Sequence, residues 1–246
     1  MSTLSAAGIG VQAGERRLLD GFGVTVAEGE VVALVGPSGS GKTLALRSLL
    51  DLLPFRPGRV AGEVRLDGVL RNGPSLRGEV GLIFQDARGS LDPLRTVGAQ
   101  LAHAAGLAGA ASPGPALLER LGFRDPARAA SQYPHELSGG MAQRAAIAVA
   151  LARKSRYLLC DEPTTGLDAP VQADLVRELR GLDGVGILFV THDLRLLPGF
   201  ADRIVVLEAG RVVEEAPSVA ALTGPGRALS QLTAAIAPPG WPGGAA

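Results

Sequence analysis

The stretch Gly36-Pro37-Ser38-Gly39-Ser40-Gly41-Lys42-Thr43 constrains this chain more than any other. It fits G-x-x-x-x-G-K-[ST] and stands between an apolar run, Val31 to Val35, and a helical pattern, Leu44 to Leu50. That strand-loop-helix context is what makes the pattern a site. The glycines at 36, 39 and 41 let the backbone turn tightly and aim N–H groups inward, and the following helix adds the positive end of its dipole. A polyphosphate meets a ready-made anion site there. Lys42 is placed to reach its β and γ phosphates, and the Thr43 hydroxyl to ligate Mg²⁺.

At 246 residues the chain has ample length for a buried α/β core. Basic and acidic residues balance at 24 each, which removes a global basic field as a reason to expect bulk nucleic-acid binding. Cys160 is the single cysteine, so the chain forms no internal disulfide, and a reducing compartment is expected. The segment from Met1 to Val11 lacks the basic start and apolar centre of a signal peptide. No run approaches the roughly 18 apolar residues of a membrane span. A cytoplasmic location is expected, with membrane contact only through a partner.

Along the chain, Leu4 to Val26 reads as short strands, Val31 to Val35 as a buried parallel strand, and 43–53 as a helix ending before Pro54. Gly62 to Leu66 and Val69 to Arg71 flank Asp67-Gly68, a two-residue hairpin signal. Val80 to Phe84 is a further buried strand that delivers Gln85 at its end, where ligands of parallel sheets gather. Helical spacing appears at 95–108 and 115–121, with an Ala/Gly/Pro-rich connector from Ala104 to Ala116. A helix from Gly140 to Arg153 follows Leu137-Ser138-Gly139-Gly140, which is either a plain serine cap or a second anion-binding turn.

Tyr157 to Cys160 is a third buried strand, and it ends in Asp161-Glu162. In that arrangement the first carboxylate holds Mg²⁺ and the second polarises an attacking water. Helix 170–181 leads to the strand Ile187 to Val190, which delivers Thr191-His192-Asp193. His192 is placed to touch a γ phosphate; His103 and His135 have no such placement. Ile204 to Leu207 and Arg211 to Val213 form a closing hairpin, 218–236 reads as helical, and 237–246 as a Pro/Gly-rich flexible tail.

This order of motifs resembles the ATP-binding subunit of ABC transporters, from about residue 4 to residue 236. Gly36 to Thr43 matches the family's Walker A loop, Gln85 the Q-loop, and Leu137 to Gln143 (LSGGMAQ) the signature. Leu158 to Glu162 matches the Walker B strand, Thr165 to Asp168 the D-loop, and His192 the switch histidine. The resemblance implies an α/β fold: a P-loop NTPase (RecA-like) core with an antiparallel β subdomain and an inserted α-helical subdomain at about 90–153. It implies ATP and Mg²⁺ as cofactors, with the metal at Thr43, Gln85 and Asp161. It further implies a head-to-tail dimer in which Lys42, Thr43, Gln85, Asp161, Glu162 and His192 of one subunit face Ser138, Gly139 and Gly140 of the other, with Asp168 beside them. Glu162 would be the general base, and Lys42, Gln85 and His192 would complete the catalytic set.

The implied partners are transmembrane permease subunits, a second ATP-binding subunit, identical or related, and indirectly an extracytoplasmic solute-binding protein. Within the family, Phe84 to Pro93 (FQDARGSLDP) and Tyr133 to Met141 (YPHELSGGM) resemble importers for peptides and for nickel. Ala87 stands where a proline is usual, and the compact ending and Val11-Gln12-Ala13 look closer to the nickel type. A soluble ABC ATPase of DNA repair or translation is the alternative, set back by the absence of sustained heptads and of a second cassette. A regulatory module without turnover is set back by the presence of Glu162 and His192. The family usually stacks adenine on an aromatic residue near positions 11 to 13, but from Met1 to Pro54 the only aromatic is Phe22, which reads as core.

Overall fold

The computed structural model describes residues 2–217. The helix expected at 218–236 and the tail expected at 237–246 lie outside the described residues. In chain order the strands and helices are β1 (Thr3–Ala13), β2 (Arg16–Ala27), β3 (Val31–Val35), α1 (Lys42–Leu49), β4 (Pro57–Leu66), β5 (Val69–Arg71) and α2 (Gly73–Leu76). There follow β6 (Val80–Ile83), α3 (Ala87–Ser90), α4 (Val97–Leu107), α5 (Gly114–Arg120), α6 (Pro126–Ser131) and α7 (Gly139–Ala152). The remainder is β7 (Tyr157–Asp161), α8 (Ala169–Arg180), β8 (Gly186–Val190), β9 (Arg203–Glu208) and β10 (Arg211–Ala216). They divide into two compact units, one holding the residues up to Arg77 and those from Gly186 on, the other Gly78–Val185.

In the first unit, β3 is apolar and buried along its whole length because it runs parallel between β8 and β9. Its start is fixed by Asp202, whose carboxylate accepts the Val31 N–H at 2.8 Å, and by Arg203 paired with Glu30 at 3.0 Å. Phe189 of β8 meets Phe200 edge to face at 4.8 Å, an arrangement worth about 0.5–1.5 kcal/mol beyond burial. Four strands in the order β2-β1-β4-β5 form an antiparallel sheet. β1 and β2 are longer than the short strands expected, because bulges in β1 absorb register shifts that a strict alternation would not allow. The Asp67-Gly68 turn closes with Leu66 opposite Val69, and both turn residues have positive φ, as a type I′ hairpin requires.

α1 stops at Leu49, short of the expected 53. Asp51 takes φ 55, and the Leu52 N–H turns back to the Arg47 carbonyl at 2.9 Å. What holds Asp51 there is distant in sequence: its carboxylate accepts the Gly73 N–H at 2.8 Å and pairs with Arg59 at 2.9 Å.

In the second unit β6 and β7 run parallel, and helices α3 to α7 occupy the chain between them. α7 buries Ala142, Ala145, Ala146, Ala148 and Ala152. Small side chains of that kind admit neighbouring backbones closely, and α3, α4 and α5 all pack against α7. The connector expected from Ala104 to Ala116 is shorter, since α4 runs to Leu107 and α5 starts at Gly114. α6 was not expected; a six-residue helix is too short to show a periodic face, although Asp125 caps it by accepting the Arg128 N–H at 3.0 Å. No helix among the described residues is long and apolar enough to cross a membrane.

Candidate functional site

The phosphate-binding pattern forms the turn between β3 and α1, at the carboxyl ends of the parallel strands. Gly36 is indispensable sterically, because a Cβ there would fall 2.0 Å from the Leu207 carbonyl of β9. Gly41 is the N-cap of α1 at φ 106, and a Cβ there would fall 2.7 Å from the Leu19 side chain. The cap residue Gly41 offers no side chain to this helix end. The loop is seated on the β9–β10 turn, where the Gly210 N–H donates to the Ser40 carbonyl at 3.0 Å. Pro37, Ser38 and Gly39 form its exposed rim, while Ser40 is buried.

Lys42 is buried, and its ammonium donates to the carbonyls of Gly36 and Pro37, each at 2.9 Å. The cation therefore already lies inside the loop. Thr43 follows in the first turn of α1, half-buried. In the same unit His192 is brought to the same edge: Leu34 pairs with Val190, and the Thr191 N–H donates to the Leu34 carbonyl at 3.4 Å. His192 is exposed there. Next to it Arg195 hydrogen-bonds Asp193 and holds that carboxyl below the usual carboxylate range, against a smaller opposing effect of burial.

The second unit brings Gln85, Asp161 and Glu162 to one edge, since β6 and β7 are parallel with Ile83 opposite Cys160. Gln85 is exposed in the bend after β6, Asp161 is buried as the last residue of β7, and Glu162 is half-buried one residue on. Glu162 has φ 48, a conformation that β-carbon sterics disfavour. Thr165, which the sequence offered only as part of a loop, donates its hydroxyl to Glu162 at 3.0 Å. Burial pushes the Cys160 thiol up to about 12, with the Asp161 charge adding to it.

Ser138 is the N-cap of α7 and accepts the Met141 N–H at 3.3 Å, so the plain-cap reading of this serine holds in this state. Ser138 and Gly139 are exposed, and a cavity of about 560 Å³ lined by Arg124, Arg128 and Arg144 opens beside Ser138. Arg88, on the helix after Gln85, donates to the Leu137 carbonyl. Ala87 occupies the first position of that helix, after the cap Asp86. This is where proline is tolerated best, so alanine there keeps the same backbone. Asp168 is exposed at the start of α8, and Gln172 holds the preceding turn by donating to the carbonyls of Thr164 and Leu167 at 3.1 and 3.0 Å.

Val11 is fully buried, paired with Leu19 on one side and Arg59 on the other, and so faces the core rather than a ligand. Ala13, half-buried at the end of β1, remains as the position for a stacking group.

The family model for ABC transporters matches residues 19–165, more than half of the chain. The chain belongs to the ABC transporter family. It is 43% identical over 213 residues to the oligopeptide transport ATP-binding protein OppD of Mycobacterium tuberculosis, covering 80% of this chain and 35% of that protein. It is 39% identical to the peptidoglycan transport ATP-binding protein YejF of Agrobacterium fabrum, covering 87% of this chain and 42% of that one. The chain thus spans less than half of either relative. A bacterial ABC transporter cassette solved as a dimer superposes with a TM-score of 0.73 at 29% identity, covering 87% of this chain and 98% of the other. The ABC cassette fold, mixed α/β with an antiparallel β subdomain, accounts for the architecture described above. The family match ends before Asp168 and His192, so their assignment rests on the motif resemblance.

Proposed function

We propose that this chain is the ATP-hydrolysing subunit of an ABC importer for oligopeptides, acting at the cytoplasmic face of the membrane. The observation that carries it is the Glu162 carboxylate, held by Thr165 at the end of β7. A module that only bound nucleotide would need no such group. Lys42 and the uncapped start of α1 hold the β and γ phosphates, Glu162 takes the proton of the attacking water, and His192 stabilises the charge that develops on the γ phosphate. Positioning and charge stabilisation supply most of the acceleration.

Thr43, Gln85 and Asp161 offer a hydroxyl, an amide carbonyl and a carboxylate, the hard oxygen donors that Mg²⁺ takes. When bound, Mg²⁺ neutralises charge on the phosphate oxygens. Ser138, Gly139 and Gly140 of a second ATP-binding subunit, with Asp168, complete the site in a head-to-tail dimer. The helical segment at about 90–153 is read as the subdomain that presents them, within an ATPase domain covering 1–236. On this reading Ser138→Arg abolishes turnover and leaves nucleotide binding by the single subunit intact.

The peptide assignment is supported by the names of the relatives, and a nickel cargo gains nothing from them. The partners are transmembrane permease subunits and, indirectly, an extracytoplasmic solute-binding protein. Purification of the tagged chain from detergent-solubilised membranes tests this. Recovery with integral membrane subunits and ATP turnover is expected; recovery with soluble partners alone would favour the DNA-repair or translation class instead.

A further inference from the structure

We propose that Glu178 is a positioning residue: through Arg144 it fixes the loop at Ser138–Gly140 relative to the loop at Asp168, so that one subunit presents both to the nucleotide of its partner, a role that rests on the shared-site reading above. The geometry that points to this is a pairing of helices. α7 begins at its cap Ser138 and α8 at its cap Asp168, and these two helices are joined by Arg144 and Glu178. The contact is bidentate, Nε to Oε2 at 2.7 Å and Nη2 to Oε1 at 3.0 Å. The two side chains are only 13% and 17% exposed. A two-point guanidinium fork fixes orientation as well as distance, which a single ammonium contact would not.

A second contact lies nearer the loops. A Cβ on Gly140 would fall 2.6 Å from Val171 Cγ1, and one on Gly139 would fall 3.5 Å from the Leu167 side chain. The helices therefore touch at their N-terminal turns and again at Arg144 and Glu178. At about 1.5 Å of rise per residue the two contacts on α7 are some 6 Å apart, and two separated contacts set an angle. The carboxylate itself is held from a third side. The turn after α5 packs its backbone onto it, and a Cβ on Gly122 would overlap Glu178 Oε1 at 2.1 Å. Glu178 touches neither loop, so its effect on them passes through Arg144 and the direction of α7.

The test uses the ATP-hydrolysing assembly that contains this chain, with Glu178→Gln, Arg144→Gln and the double replacement. Turnover, KM for ATP, nucleotide affinity of the single subunit and thermal melting are measured for each. Glu178→Gln is expected to lower kcat by about tenfold to a hundredfold, the scale of a small misplacement, while nucleotide affinity stays within about twofold, well under one tenfold step of binding energy. The double replacement is expected to be no worse than either single one, since both remove one contact. Unchanged kcat in a folded Glu178→Gln protein would overturn the proposal, as would a loss of rate that only follows the folded fraction. If Glu178→Gln does not fold, Arg144→Lys keeps the charges and removes the fork: a fall in kcat at unchanged nucleotide affinity supports the role, and wild-type kcat overturns it. A wild-type assembly with no ATP turnover would refute the ATPase reading itself, and this role with it; normal turnover in wild type and variant alike refutes only the role of Glu178.

Discussion

Thr165 donates its hydroxyl to Glu162 at 3.0 Å across the turn that follows β7, and the carboxylate it holds belongs to a residue at φ 48. A non-glycine residue in that region costs about 1–3 kcal/mol and persists where its surroundings over-determine it. The side chain of Glu162 is thus aimed by its own backbone and steadied by its neighbour three residues on. Glu162→Gln is expected to bind ATP and to hydrolyse it about 10²–10⁴-fold more slowly, the usual contribution of a general base. Thr165→Val should slow turnover by a smaller factor with unchanged nucleotide affinity. Phosphate release measured beside equilibrium binding separates the two effects, and near-normal turnover in Glu162→Gln would remove it as the base.

Lys42 lies within the loop, hydrogen-bonded to the carbonyls of Gly36 and Pro37. If it holds phosphate in the ground state, as proposed, Lys42→Ala should weaken ATP binding rather than slow a bound complex. Loss of a charge-assisted contact of about 1.5–3 kcal/mol corresponds to roughly 10–150-fold in affinity. Calorimetric titration with ATP and Mg²⁺ checks it; wild-type affinity would show that the phosphates are held elsewhere.

Burial pushes the Cys160 thiol from 9.0 up to about 12. The unfolded chain releases that proton more readily than the folded one, so this contribution to stability is fully present below about pH 9 and lost as the pH rises towards 12. At pH 8 the native thiol is expected to resist a thiol-specific reagent until the protein unfolds. Prompt labelling of native protein would contradict the burial of β7.

From Met1 to Pro54 the only aromatic residue is Phe22, and it is fully buried in the core. Base stacking contributes ~1–3 kcal/mol in other nucleotide sites, so the affinity here should rest on phosphate contacts that do not distinguish bases. Weak discrimination between ATP and GTP is expected, with tighter ATP binding in Ala13→Tyr, by roughly 5–150-fold at most. A preference for ATP above about a hundredfold in competition binding would mean that another group reads the adenine.

The strands that carry the site were legible because their signals are local. β3 and β8 are continuous apolar runs, and β7 is one as far as Asp161, whose carboxylate does not suit a core. The cap Ser138 likewise acts on an N–H group three residues away. What the sequence hid depends on distant contacts. The early end of α1 is set by Gly73 and Arg59 acting on Asp51, and the burial of Val11 depends on which face of β1 it takes once the bulged pairing with β2 and β4 is made. Arg144 and Glu178 are 34 residues apart on two helices whose individual patterns give no hint of the other.

The central claim is that ATP hydrolysis at this chain's Glu162 powers the import of oligopeptides. The most direct measurement is uptake of a labelled oligopeptide by cells in which the wild-type gene is replaced by the Glu162→Gln form, expressed to the same level. Uptake is expected to fall to the background of a strain lacking the gene, while ATP binding by the purified variant persists. Uptake at the wild-type rate in the Glu162→Gln strain would contradict the account.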